Sequence, residues 1–354
     1  MQLWEQARLG PMTLRNRTVR SATNEHLSQR DGQFTAAWAG ALEELARGEA
    51  GLIITGHAAV EPHQRTDEGQ PVLDRRADRA VLAQAAQGVH RWGGKAVIQL
   101  SHSGLKASAQ VNGLPPKGPE DFTPEELDRL TEQFREAALL AREAGFDGVQ
   151  IHCAHGYLLS SFLNPDLNRR QDGYGGPLGN RFRLIARIIR AVRESCGPEF
   201  ALLAKADCNS TEDFPALAVL FQRAGLDALE VSGLDFSARL GSRAPFYLEE
   251  AAAAQQAVSI PLILVGGIYS RAAAEQVLRA GIPFAAFSRA LICQPDFIAR
   301  MRAGQEESPC LLCNRCFQIY RTRPVRCVQH RTPIPQLVRV FGAGNPDYET
   351  RLEK

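Results

Sequence analysis

The feature that most constrains the fold of this chain is a recurring junction between a helix end and a buried strand. Each junction has a helical pattern, then a glycine suited to a left-handed turn, then an apolar run. Clear examples lie at Gly145, Gly225 and Gly281, and a looser version surrounds Gly48. Repeated junctions of this kind favour parallel strands that are covered by helices.

Eight apolar runs of strand length follow one another along the chain, and most lack the polar alternation of a half-exposed strand. These runs are Val19–Thr23, Gly51–Thr55, Ala96–Leu100, Gly148–His152, Ala201–Ala206, Ala228–Ser232, Pro261–Val265 and Phe284–Ser288. Eight strands joined by helices predict an α/β fold, specifically a (β/α)8 TIM barrel. A doubly wound open sheet is the alternative, and it is weaker because no G-x-G-x-x-G motif follows an early strand.

Composition narrows the class of protein. The 354 residues carry 41 Lys plus Arg against 39 Asp plus Glu, so we expect no nucleic-acid partner, since proteins that coat nucleic acid are far more basic. No apolar run approaches the roughly 18 residues of a membrane span, and no secretory signal is visible. We therefore expect no membrane association and a cytoplasmic location, where thiols stay reduced.

Four cysteines cluster near the C-terminus with the spacing C-x2-C-x2-C-x10-C, namely Cys310, Cys313, Cys316 and Cys327. This spacing favours a metal or cluster site over a disulfide framework. The surrounding segment is also rich in arginine. We therefore predict a barrel over residues 1–300 and a Cys/Arg-rich C-terminal extension over residues 301–354, packed on the barrel or on a neighbouring subunit.

Polar side chains follow the fourth predicted strand, at the barrel face that carries active sites. His152 ends the strand and His155 follows in the loop, so both imidazoles can point at one electronegative atom. Tyr157 can donate a proton from the other side. The alternatives are loop histidines satisfied by backbone groups, or a zinc site, for which no third ligand is obvious.

Other strand ends carry groups that suit a phosphate and a flat heterocycle. Gly266 and Gly267 follow the seventh strand, and Arg289 follows the eighth, where barrels often bind phosphate. Gln99 lies at the end of the third strand and Lys205 near the end of the fifth. An amide there can hydrogen-bond the edge of a heterocycle, and an ammonium group can stabilise negative charge on it.

Together these motifs resemble the Old Yellow Enzyme family of FMN-dependent oxidoreductases over about residues 3–297. The resemblance is carried by H-x-x-H-G-Y-L after strand four, by the F-L-x-P-x-x-N-x-R-x-D-x-Y-G-G segment that follows, and by the order of the flanking motifs. It points to the branch that includes bacterial ene-reductases and the barrel domain of 2,4-dienoyl-CoA reductase.

The resemblance implies non-covalent FMN at the carboxyl end of the barrel, NAD(P)H as electron donor and a small activated alkene as substrate. It assigns Tyr157 as the proton donor, with His152 and His155 bound to the substrate carbonyl. The residues that match the flavin site are Ala22, Thr23, Asn24, Gly56, Gln99, Lys205, Gly266, Gly267, Ser288 and Arg289. The prediction is an NAD(P)H:flavin oxidoreductase that reduces activated C=C bonds of enones and enoates.

Some predictions stay open at this point. The cysteine spacing is similar to the [4Fe–4S] ligands of 2,4-dienoyl-CoA reductase but one residue tighter in two gaps, so an iron–sulfur cluster, a zinc ion and free thiols are all considered. The resemblance implies a homo-oligomer, a dimer or tetramer, in which Arg321 and Arg323 are candidates to reach a neighbour's site. The alternative functions are a tRNA dihydrouridine synthase-like enzyme and a metal- or redox-sensing flavin-barrel protein.

Overall fold

Strands form the central layer of the molecule. The computed structural model describes residues 1–239, 241–319 and 324–329. In chain order the strands are β1 (Ala7–Leu9), β2 (Met12–Leu14), β3 (Thr18–Arg20), β4 (Leu52–Ala59), β5 (Lys95–Ser101), β6 (Gly148–Cys153), β7 (Ala201–Asp207), β8 (Ala228–Ser232), β9 (Leu262–Val265) and β10 (Phe284–Phe287). Strands β3 to β10 run parallel and close into a barrel, with β10 hydrogen-bonded to both β9 and β3. The predicted (β/α)8 barrel is confirmed, and all eight predicted runs fall on its strands.

Helices form the outer layer and the connections above the barrel. They are α1 (Ala36–Arg47), α2 (Arg79–Arg91), α3 (Ala109–Asn112), α4 (Pro124–Glu143), α5 (Leu158–Leu163), α6 (Leu178–Arg181), α7 (Arg183–Cys196), α8 (Phe214–Arg223), α9 (Leu248–Ala257), α10 (Arg271–Arg279), α11 (Arg289–Cys293), α12 (Phe297–Arg302) and α13 (Arg315–Ile319). Short 3-10 turns cover Gly104–Lys106, Pro119–Asp121 and Phe236–Arg239. Because helices cover one face of each barrel strand and the interior fills the other, strands β6 to β10 are buried throughout.

The start of α4 illustrates how local sequence sets these boundaries. Thr123 caps the helix by accepting a hydrogen bond from the Glu126 backbone N–H, and the Glu126 side chain accepts one from the Thr123 N–H. Pro124 occupies the first helical position, where its missing N–H costs nothing. Two backbone donors are thus satisfied at the helix end without help from tertiary contacts.

An antiparallel hairpin closes the amino end of the barrel. Strands β1 and β2 pair so that Ala7 faces Leu14, and the apolar side chains of Leu9, Met12 and Leu14 join the interior cluster around Val19. Burial of these side chains excludes water from that end. The open end of the barrel is therefore the carboxyl end of the strands, where the predicted site residues lie.

The C-terminal segment starts on the barrel. The backbone N–H of Ser308 donates to the Tyr269 carbonyl, and the N–H of Arg271 donates to the Glu306 carbonyl. The predicted division at residue 300 stays a prediction, and Arg321 and Arg323 lie outside the described residues. Across the described ranges, no helix has both the length and the apolar character that crossing a bilayer requires.

Candidate active site

A cavity of about 400 Å³ opens at the carboxyl end of the barrel strands. The residues that the sequence analysis assigned to catalysis and flavin binding line it almost without exception: Ala22, Thr23, Asn24, Gln99, His152, His155, Tyr157, Lys205, Gly266, Gly267, Ser288 and Arg289. Gly56 is the exception, and its neighbour His57 faces the cavity instead. Residues far apart in the chain thus meet because parallel strands end at one face.

The loop after β6 brings two imidazoles and a phenol together. His155 and Gly156 both adopt left-handed backbone conformations, with φ of 63° and 73°, which turns the chain sharply before Tyr157, the residue that precedes α5. The ring of His152 lies 4.6 Å from the Tyr157 ring and 5.3 Å from the His155 ring, measured between centroids. Three groups that can donate hydrogen bonds therefore converge on one region of the cavity.

Burial keeps both imidazoles of this loop neutral. It holds the pKa of His152 and of His155 well below the usual value, and the positive charge of Lys205 acts in the same direction. His155 Nε2 lies 2.9 Å from the Ser232 hydroxyl. His152 Nδ1 is buried with no hydrogen-bond partner in the described part of the chain. An unsatisfied buried nitrogen of this kind is costly, so it indicates a missing ligand group.

A third histidine, His57, was not singled out from the sequence. Its ring packs edge-on against the Tyr157 ring, with centroids 5.1 Å apart. His57 Nδ1 lies 2.8 Å from the Gln70 amide nitrogen and 3.0 Å from the Ser101 hydroxyl. Burial lowers the pKa of His57 to about 4, so this ring is also neutral at neutral pH.

The shift from Gly56 to His57 follows from an irregularity in β4. The pairing register of β4 with β5 changes between Ile54 and His57, and a shift of one residue exchanges the two faces of a strand. Gly56 does not line the cavity, and its backbone N–H donates to the Glu25 carboxylate. Glu25 is buried and paired with Arg20 at 3.0 Å.

A chain of buried hydrogen bonds crosses the barrel interior below the cavity. The Gln150 amide nitrogen donates to the Glu230 carboxylate at 2.7 Å, which leaves Gln150 Oε1 to accept from the Gln99 amide nitrogen. Gln99 Oε1 is consequently available as an acceptor. Lys205 Nζ donates to the Ser21 hydroxyl at 2.9 Å and lies 3.3 Å from Glu230. The cavity floor thus offers both an amide acceptor and an ammonium donor.

The turns after β9 and β10 form a corner suited to a phosphate. Gly266 and Gly267 have positive φ of 120° and 73°. A Cβ at Gly267 would lie 1.9 Å from the Ala244 carbonyl oxygen, so a side chain does not fit there. Arg289 opens α11, and its guanidinium stacks on the Tyr269 ring and donates to Asn314 Oδ1 at 3.3 Å. Exposed backbone and an arginine together are typical of phosphate binding.

The C-terminal segment supplies part of the cavity wall, which the sequence did not reveal. Cys316, Phe317 and Val325 all line the cavity. The Phe317 ring lies 6.0 Å from the Phe236 ring, between centroids, and the backbone N–H of Val325 donates to the Glu25 carbonyl at 3.0 Å. The described part of this segment therefore packs on the barrel that carries it.

Two of the four C-terminal cysteines contact a further thiol that was not singled out from the sequence. The thiol of Cys293, at the end of α11, hydrogen-bonds with both Cys310 and Cys327. The hydrogen bond from Cys293 lowers the pKa of the Cys310 thiol. Cys313 is exposed and Cys316 lines the cavity. Although Cys293 contacts two other thiols, no three or more His, Cys, Asp or Glu side chains of the described residues have an arrangement that could hold a metal ion.

These features fit FMN. The corner around Gly266, Gly267, Ser288 and Arg289 suits its phosphate, and Gln99 and Lys205 suit the edge of a ring that both donates and accepts hydrogen bonds. His152, whose Nδ1 has no hydrogen-bond partner among the described residues, lines the same cavity and can bind a reactant. Fold and site together define a class: a (β/α)8-barrel flavin oxidoreductase.

The chain belongs to the NADH:flavin oxidoreductase / NADH oxidase family, whose sequence profile matches residues 2–308. This confirms the resemblance to the Old Yellow Enzyme family and makes the protein an FMN-dependent NAD(P)H oxidoreductase of that type. The expected cofactor FMN and the expected reductant NAD(P)H are those of the family.

Individual relatives agree with this assignment. The 4,4'-dithiodibutanoate disulfide reductase of Rhodococcus erythropolis is 31% identical over 92% of this chain and 94% of its own length. The NADH oxidase of Thermoanaerobacter brockii is 29% identical over 91% of this chain, which spans only 55% of that longer relative. The structure of morphinone reductase in complex with tetrahydroNAD superposes with a TM-score of 0.75, at 25% identity over 88% of this chain and 93% of that one.

Proposed function

We propose that this protein reduces activated C=C bonds, in enones or enoates, with NAD(P)H as the source of electrons. The observation that supports this most is the convergence of His152, His155 and Tyr157 beside the flavin-type site, with both imidazoles held neutral by burial. Neutral N–H donors bind a carbonyl oxygen and stabilise the negative charge that develops on it during alkene reduction.

Bound FMN supplies reversible two-electron hydride chemistry. The residues of this chain do the rest. Arg289 and the backbone of Gly266 and Gly267 would bind the phosphate of FMN, while Gln99 and Lys205 would bind the edge of its ring system. His152 and His155 orient the substrate carbonyl, and the Tyr157 hydroxyl donates the proton that completes reduction at the α-carbon.

Replacing Tyr157 by Phe tests this assignment. We expect the variant to keep its FMN and to be reduced by NADPH at a near-normal rate, because the hydroxyl takes no part in that step. Reoxidation by 2-cyclohexenone should slow by about 100-fold, the usual scale of a lost general acid. Stopped-flow absorbance measures each half-reaction separately, and His63→Gln is the control because His63 lies outside the cavity lining. An equal loss in both half-reactions would remove Tyr157 from the proton-donor role.

A second candidate reaction is the reduction of an organic disulfide, and the Rhodococcus erythropolis relative favours it because similarity extends over nearly all of both chains. The same reduced enzyme is mixed with 4,4'-dithiodibutanoate and the release of thiol is measured. Two thiols per NADPH consumed, at a rate above that with enones, would make disulfide reduction the main activity.

An iron–sulfur cluster or a zinc ion at Cys310, Cys313, Cys316 and Cys327 stays a prediction. So do the homo-oligomer and the cytoplasmic location. Iron and zinc are counted by mass spectrometry on anaerobically purified protein, with a Cys313→Ser variant alongside. Iron or zinc that is present in the wild type and lost in the variant would establish a site that includes Cys313.

A further inference from the structure

The cavity has an uneven distribution of charge. Its described lining contains three cationic side chains, Lys106, Lys205 and Arg289, and no aspartate or glutamate. Two of these cations already have roles: Lys205 is bound to Ser21 and Glu230, and Arg289 belongs to the phosphate corner. FMN therefore accounts for two of the three cations, and Lys106 is left over.

Lys106 lies on the reactant side of the cavity. It ends the 3-10 turn Gly104–Lys106 after β5, and its Cε lies 3.1 Å from the position of a Cβ built on Gly156, between His155 and Tyr157. Within the described ranges, its ammonium group forms neither an ion pair nor a hydrogen bond with a side chain. An unpaired cation beside the substrate-binding loop is available to bind an anion.

The neighbouring His57 adds a donor on the same side. The backbone N–H of Thr66 donates to Gln70 Oε1 at 2.6 Å, which fixes the Gln70 amide nitrogen against His57 Nδ1. His57 Nδ1 is therefore an acceptor, and a neutral ring must carry its proton on Nε2. Nε2 belongs to the part of the ring that is left to face the cavity. The reactant side of the cavity thus presents hydrogen-bond donors and a positive charge.

We propose that the alkene reduced at this site carries a carboxylate that binds to Lys106, so that Lys106 selects anionic substrates over neutral ones. This inference rests on the proposed function, because it names the substrate class of the same site. An enone that also bears a carboxylate carries both groups, a carbonyl for the histidines and an anion for Lys106.

The experiment measures kcat/KM for trans-4-oxopent-2-enoate and for its uncharged methyl ester, and compares wild type with variant for each substrate separately, because the ester group also activates the alkene more strongly. Lys106→Met should lower kcat/KM for the acid about tenfold, the scale of one charge-assisted hydrogen bond. The ester should change less than about twofold, and Lys106→Arg should retain most of the wild-type kcat/KM for the acid. Lys117→Met is the matched control, because Lys117 pairs with Glu126 outside the cavity lining.

A binding measurement separates this inference from the proposed reaction. The holoenzyme is titrated with 4-hydroxybenzoate and with its methyl ester, and the flavin absorbance reports Kd without turnover. Lys106→Met should raise Kd for the acid alone. Equal changes in Kd for acid and ester would overturn the inference. A loss of activity confined to flavin reduction by NADPH would also overturn it, because it would assign Lys106 to binding the phosphates of the dinucleotide. Failure of the wild type to reduce either enone would overturn the proposed function, while the titration still decides the role of Lys106.

Discussion

Asp207 shows how burial at a single residue affects the active-site loop. One carboxylate oxygen accepts hydrogen bonds from the His155 backbone N–H and from the Ser160 hydroxyl, and these bonds fix the turn that carries His155. The other oxygen is buried without a hydrogen-bond partner among the described residues. Burial is the main cause that raises the pKa of Asp207 to about 7.

Asp207 should therefore make stability depend on pH. The pKa of Asp207 is higher in the folded protein than in the unfolded chain, where it is near 4. The stability that Asp207 contributes in its protonated form is therefore fully present below pH 4 and is lost as pH rises through about 7. Replacement by Asn removes the buried charge and keeps an acceptor for His155. We expect the change in unfolding free energy caused by Asp207→Asn to be about 2 kcal/mol more stabilising at pH 8 than at pH 5. Thermal unfolding at both pH values measures this, with exposed Asp166→Asn as the control, and parallel pH profiles for wild type and Asp207→Asn would contradict it.

Residue by residue, the sequence predicted the cavity lining well where a motif ends a regular strand. His152 and Lys205 lie near the ends of β6 and β7, and their positions follow from the alternation of faces along a strand, while Arg289 comes directly after β10 at the start of α11. Gly56 was assigned to the cavity, but the register change in β4 places His57 there. Nothing in the local composition signals that irregularity, because it arises from pairing with β5.

The β9–α10 turn is the element whose backbone the phosphate corner needs most. Gly267→Ala would place a methyl group against the Ala244 carbonyl in a left-handed backbone conformation. We expect this variant to bind FMN at least tenfold more weakly, because the turn must open. Gly281→Ala is the control: it also has a positive φ of 90°, but open space surrounds it. Fluorescence titration of apoprotein with FMN measures both, and equal losses would show that backbone strain, rather than the corner, is responsible.

Elements with strong local signals were predicted more reliably than those that depend on the rest of the fold. The start of α4 at Thr123 and Pro124 follows from capping chemistry within a few residues. Strands β1 and β2 were missed, because three-residue strands carry too little periodicity to detect. Cys293 was missed for a related reason: it is distant in sequence from Cys310 and Cys327 and meets them only through the packing of α11.

On the scale of the whole molecule, barrel and C-terminal segment share one cavity. A chain shortened to residues 1–308 keeps the eight barrel strands but loses Cys316, Phe317 and Val325 from the cavity wall. It also loses the hydrogen bond from Arg289 to Asn314. We expect it to fold as a barrel by circular dichroism and to release FMN several times faster. A chain shortened to residues 1–329 keeps every one of those contacts and serves as the control. Identical FMN release rates from the two chains would show that the segment does not retain the cofactor.

The hairpin of β1 and β2 has a consequence for kinetics. Because it closes the amino end of the barrel in the described part of the chain, we expect the dinucleotide and the oxidising substrate both to use the cavity at the carboxyl end. Each reactant should then exclude the other from that cavity. A high concentration of either one should therefore inhibit turnover, and initial-rate plots at several fixed concentrations of the second reactant should be parallel lines.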